Sequence, residues 1–170
     1  MMPQETKHGL QRALARIVST EPLGFREFIW LCLPALLLGL VMRLHFLWVT
    51  PQGYFGADSG SYYQFAHDLF TEGVFELNPK RRWFYPIVLA LLTPLPAACW
   101  YLVPLFQHLL GLATVAGIGW ITLRLSTYPR LTIPLVTILA ALWPRMLWYE
   151  HEFIAESFLL AAFVLTVSLA

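Results

Sequence analysis

Three groups of charged residues in this chain have the types and order needed to hold a phosphate and activate a hydroxyl. Asp58 lies in Gly56-Ala57-Asp58-Ser59, Lys80-Arg81-Arg82 runs directly into Trp83-Phe84-Tyr85-Pro86, and Glu150, Glu152 and Glu156 follow far downstream. A carboxylate at the start of a surface helix and facing a cavity can bind a divalent cation or take the proton of an acceptor hydroxyl. Asp is also among the best helix N-caps, so capping and chemistry both stay open for Asp58. In the cationic run, arginine clamps a phosphate with a two-pronged fork and lysine acts as a point charge, which makes Arg81 and Lys80, with Arg82 beside them, a candidate clamp. Contact with lipid headgroups is the plainer reading of the same run. Glu156 falls inside an apolar stretch, where an ionisable group is costly and normally faces a protein interior or a wet cavity. Glu152, four residues earlier, is expected on the same helical face, with Arg145 as a partner for one of these acids.

Other polar residues are read as structural. Asp68 and Glu72 read as solvated surface charge, Glu150 and Glu152 can lie in the headgroup zone, and His45, His67 and His108 stand isolated. His151-Glu152 does not extend to a zinc-protease helix, because Ala155 stands where the second histidine would be. Cys32 and Cys99 lie in apolar sequence without metal-ligand spacing and read as small buried hydrophobes.

The elements that must position these groups are membrane elements. Hydrophobic residues make up 58% of the 170 and charged residues 12%, and the mean hydropathy is +0.63, outside the soluble globular range. The expected fold is all-α: an integral membrane bundle of about four transmembrane helices with a long outer loop carrying interfacial helices. A net charge of +1 without a basic stripe excludes nucleic acid as a partner. Residues 1–27 read as a cytoplasmic surface helix and hinge, with no cleavable signal peptide. The first span, 28–49, is about 33 Å long as a helix, enough for a hydrocarbon core of about 30 Å. Arg43 and His45 are expected to snorkel from its far end. Further spans are expected at 97–123, 131–148 and 153–170, with an outer loop over 50–96.

Within that loop Tyr62, Phe65, Ala66, Leu69 and Phe70 recur at helical spacing, which predicts a helix lying flat on the membrane and ended by Gly73. Phe84 to Thr93 is apolar but too short to span, and is expected to be interfacial or re-entrant. Gly111, Gly117 and Gly119 allow close helix contact. The positive-inside rule, applied to the N-terminal residues and to Arg124 and Arg130, puts the long loop and residues 148–152 outside.

The layout from about residue 28 to residue 170 resembles the N-terminal part of the GT-C-fold membrane glycosyltransferases. These include protein O-mannosyltransferases, aminoarabinose transferases and oligosaccharyltransferase catalytic subunits. The resemblance rests on Asp58-Ser59-Gly60-Ser61-Tyr62-Tyr63 continuing through Ala66, Leu69 and Gly73-Val74-Phe75, then on Arg81, Tyr85, Pro86 and Ile87 to Leu92, and then on Pro144 followed by Ala155-Glu156. Trp83-Phe84 stands where many members have Pro-Gly, and Ser59 where many carry a second acid.

The resemblance implies transfer of a sugar from a polyprenyl-phosphate-linked donor to an acceptor glycan, lipid or protein. It makes Asp58 catalytic or metal-binding and gives Arg81 or Lys80 the donor phosphate. A divalent cation, Mg2+ or Mn2+, with Asp58 and Glu156 as its candidate ligands, is the one cofactor expected. It also implies a bacterial inner membrane location and a chain that is the front piece of a longer enzyme. The rivals are a truncated fragment without activity and a small transporter or accessory subunit. A transporter would place polar groups within the bilayer on several helices.

Overall fold

The computed structural model describes residues 22–56, 58–73, 84–92 and 96–170, together with Ala15 and Ser19, the side chains of 96–99 excepted. Lys80, Arg81 and Arg82 lie outside the described residues, as does most of the expected 1–27 surface helix. Seven helices make up the described chain: α1 Phe25–Val49, α2 Ser59–Thr71, α3 Phe84–Leu92, α4 Pro96–Leu125, α5 Pro129–Ala141, α6 Pro144–His151 and α7 Glu156–Leu169. Two stretches, Phe25–Val49 and Trp100–Leu125, are long and apolar enough to cross a membrane, and the bent pair α5 and α6 brings the number to three.

The stretch expected to span over 131–148 is broken by that bend. Proline at 144 has no amide hydrogen, and it pushes the residue before it out of the helical region. Trp143 accordingly adopts φ −62°, ψ 112°, and the helix axis turns by 47° between Ala141 and Pro144. The last stretch also differs from expectation. Helix α7 begins only at Glu156: Glu152 is extended and forms a short parallel bridge with Tyr54, and residues 153–155 bend before the helix starts. With 14 residues it is about 21 Å long.

Helix α4 is the hub, packing against α1, α3, α5, α6 and α7. Its direction follows from its contacts: Trp120 meets Phe28 near the start of α1, and His108 meets Phe46 near the end of α1. Helices α1 and α4 are therefore antiparallel. Helix α7 runs alongside α4 in the same sense, with Phe153 on Trp100 at one end and Val164 against Gly117 further along. At the end where α1 begins, Arg130 in the first turn of α5 pairs with Glu27 in the first turn of α1 at 2.8 Å. At the opposite end lie α2 and α3, with Gly73 closing α2 at a φ of +65° as the sequence predicts.

Large apolar side chains such as Leu37, Val41, Leu44, Leu135, Leu139 and Phe163 are exposed around the bundle. In lipid such residues give no hydrophobic drive for helix association, and close packing carries that role instead. At Gly119 the helices α1, α4 and α5 approach closely: an added Cβ would lie 2.8 Å from Cys32 Sγ and 3.0 Å from Thr137 Cγ2. Gly119→Leu is therefore expected to destabilise the purified protein by about 1–3 kcal/mol, whereas Leu139→Ala on the exposed face should change stability by under about 0.5 kcal/mol. Equilibrium denaturation in detergent checks both values.

Candidate functional site

Beneath the end that carries α2 and α3, three helices each bury a polar group that sequence reading sends elsewhere. Arg43 from α1, Gln107 and His108 from α4, and Glu150 and His151 from α6 are each no more than 2% exposed. Arg43 does not snorkel. Its Nη2 donates to Glu150 Oε1 at 2.5 Å, and its Nη1 donates to the Gly39 carbonyl at 3.1 Å and approaches the Ala141 carbonyl at 3.5 Å. Glu150 leaves the headgroup zone for the interior: its second oxygen meets His108 Nδ1 at 2.8 Å. His108 Nε2 lies 3.0 Å from His151 Nδ1, and His151 Nε2 lies 3.0 Å from the Gln52 carbonyl. His108 is thus a central link rather than an isolated residue.

Gln107 fixes the adjoining backbone. Its Oε1 accepts from the Tyr85 hydroxyl at 2.6 Å, and its Nε2 donates to the carbonyls of Glu150 and Glu152 at 3.0 and 2.7 Å. One side chain of α4 therefore ties α3 to the chain leaving α6. Gly111 makes room for the carboxylate, since a Cβ there would lie 1.9 Å from Glu150 Oε1. The rings of Phe46 and Tyr54 pack on His151, with centroids at 5.6 and 4.9 Å, and close the cluster off from above.

Over this floor runs the segment from Thr50 to Gly56. Gly53 donates to the Trp100 carbonyl, Tyr54 donates to the His151 carbonyl, and Phe153 donates back to Tyr54. Asp58 follows at the N-cap position of α2 and is exposed. Its backbone carbonyl accepts from Ser61 and Tyr62, while its side chain makes no capping bond. The hydroxyl of Ser59 instead accepts from the Gly56 amide at 3.0 Å.

The other predicted acids are spread apart rather than stacked on one helical face. Glu152 lies in the extended stretch before α7, its Oε2 accepting from the Trp148 indole at 3.1 Å. Glu156 is exposed in the first turn of α7, facing no protein interior. Its charge there suits the positive end of the helix dipole. Arg145 takes neither acid as partner: it donates to the Tyr149 hydroxyl at 2.7 Å and stacks over that ring. Among the described residues no three His, Cys, Asp or Glu side chains are grouped to hold a metal ion.

Asp58 and Glu156 nonetheless share one end of the bundle. Tyr62 of α2 meets Tyr85 of α3 edge-on at 5.2 Å, and Phe158 of α7 meets Phe84 and Tyr85 at 5.3 and 6.5 Å. Comparison with protein-family models, with characterised proteins and with solved structures finds no match to this chain.

The buried cluster had a usable signal in the sequence. The cost of an ionisable group inside an apolar helix applies to Arg43 and His108 as much as to Glu156. Breaking a buried pair strands a charge, whereas replacing both partners with apolar residues does not. Glu150→Ala is therefore expected to cost about 3–5 kcal/mol, and Arg43→Met combined with Glu150→Met far less. Gly111→Ala should act in the direction of Glu150→Ala, because the methyl group would displace the carboxylate. Denaturation of the variants in detergent tests this ordering.

Proposed function

We propose that this chain is the N-terminal part of a membrane glycosyltransferase of the GT-C type, taking sugar from a polyprenyl-phosphate-linked donor. In this reading α1, α4, the α5 and α6 pair, and α7 are four spans, and α2 and α3 are interfacial helices of an outer loop. The N-terminus is cytoplasmic and the loop faces outward from a bacterial inner membrane. The supporting observation is the aromatic contact set of Tyr62, Tyr85 and Phe158. It gathers at one end of the bundle the helix that Asp58 begins, the helix that follows the cationic run, and the helix that Glu156 begins.

Asp58 is the base. It takes the proton of the acceptor hydroxyl as the acceptor oxygen bonds to the anomeric carbon, and the sugar–phosphate bond breaks with its electron pair leaving on the carrier phosphate. Lys80, Arg81 and Arg82 hold that phosphate, and Glu152, Glu156 and Arg145 line the outer pocket. Asp58 and Glu156 are the cation ligands that the resemblance implies.

The buried cluster is the observation that favours a transporter, since its polar groups come from three helices. Arg43 stands only six residues, about 9 Å, from the end of α1. The cluster is thus near one end of the bundle and under the loop, which suits a support for that loop better than a path through the bilayer.

In the full-length polypeptide, Asp58→Ala is expected to lower sugar transfer from polyprenyl-phosphate donors at least about 100-fold, the usual contribution of a positioned base. Donor binding should be retained. Transfer at the wild-type rate would rule out the assignment.

A further inference from the structure

The chain of contacts from Glu150 through His108 and His151 to Gln52 contains three hydrogen bonds, each of which needs one proton. The Gln52 carbonyl can only accept, so His151 Nε2 must carry a hydrogen. A carboxylate can only accept as well, so His108 Nδ1 must carry one. The remaining contact joins two ring nitrogens, His108 Nε2 and His151 Nδ1, and one of them must carry a third hydrogen. Two neutral imidazoles supply only two. With two, one contact near 3 Å sets lone pair against lone pair among side chains no more than 2% exposed, and a buried polar group without a partner is costly.

We infer that the Glu150–His108–His151–Gln52 chain is a proton-binding site, holding one proton beyond those of two neutral histidines. The arrangement that meets every bond has His108 as imidazolium, donating from Nδ1 to Glu150 and from Nε2 to His151. His151 is then the neutral Nε2–H form, donating to Gln52. Shifting the first proton onto Glu150 leaves the same total. Among the described residues, the ionisable group bonded to the chain from outside it is Arg43 of α1, which meets Glu150 of α6, while α5 brings the Ala141 carbonyl near Arg43 and the Thr50 to Gly56 segment brings the Gln52 carbonyl and the Tyr54 ring to His151. Glu150 thus lies between two cations and is the carboxylate that makes the extra proton tolerable.

A metal ion is a poor alternative occupant. The carboxylate meets the nitrogen of His108 opposite to the one that faces His151, so no single ion is shared by all three. The bound proton completes the contact between the two rings, and the second ring in turn holds the Gln52 carbonyl of the segment that leads to Asp58. This inference is independent of the glycosyltransferase reading.

The test is nitrogen NMR of the full chain, labelled with 15N-histidine, in lipid nanodiscs near pH 7. The signals of His108 and His151 are assigned with His108→Gln and His151→Gln. The expected result is a pair of rings with three protonated nitrogens between them and a coupling across the Nε2–Nδ1 contact. Two neutral rings, each with one unprotonated nitrogen, would overturn the inference. Glu150→Gln should remove the extra proton, and its retention in that variant would equally overturn the assignment. Where Glu150→Gln fails to fold, the wild-type spectrum alone decides.

Discussion

The ion pair between Arg43 and Glu150 constrains what surrounds it. Withdrawing both charges from water costs several kcal/mol per ion unless the remaining donors and acceptors find partners. The neighbourhood is built accordingly. Gly39 and Gly111 leave space for the guanidinium and the carboxylate, and the Gly39 carbonyl and His108 each take up a further bond, while Arg43 Nε stays buried without a partner. The break between α5 and α6 belongs to the same arrangement. A carbonyl whose helix ends before its usual partner is an acceptor without an amide, and that of Ala141, the last residue of α5, turns toward Arg43. Pro144 bends the chain, the bend opens a carbonyl, and α6 leaves the break at the angle that brings Glu150 inward.

How much of this could be read from the sequence depended on whether the signal was local. The helix of Tyr62, Ala66 and Leu69, its end at Gly73, and the close approaches at Gly117 and Gly119 are set by spacing and residue type, and they appear where expected. The bend at Pro144 was equally local, but a hydropathy window averages over a break that costs no hydrophobicity. The start of α7 was not local. Its delay to Glu156 comes from pairing with Tyr54, almost a hundred residues away, and no periodicity near 153–156 encodes that.

Arg43, His108 and Glu150 were hidden for a related reason. None has its partner within its own stretch, and an arginine near a helix end has snorkelling as its cheapest solution. Only the antiparallel register of α1 and α4, with α6 beside them, puts the three at one level. Once they meet, pairing outweighs escape to the headgroups, because each removes the unsatisfied valence of the others. The acids at 152 and 156 failed in the opposite sense: spacing of four implies a shared face only if the helix is continuous between them.

The two kinds of acid in this chain consequently have different physical uses. A carboxylate whose oxygens are both taken by buried partners, as in Glu150, has no capacity left for a substrate and can act only on what it holds. Asp58 and Glu156 are exposed, each at the start of a helix whose amide groups favour negative charge. A group that must reach a reacting atom has to be accessible, yet held to within about half an ångström. An exposed loop supplies access but not rigidity. Here the rigidity comes from below, through Gln52, Gly53 and Tyr54, which are bonded to the chain of buried residues and to Trp100. The segment leading to Asp58 is thereby anchored to α4 and α6 at once, although Asp58 itself belongs to neither.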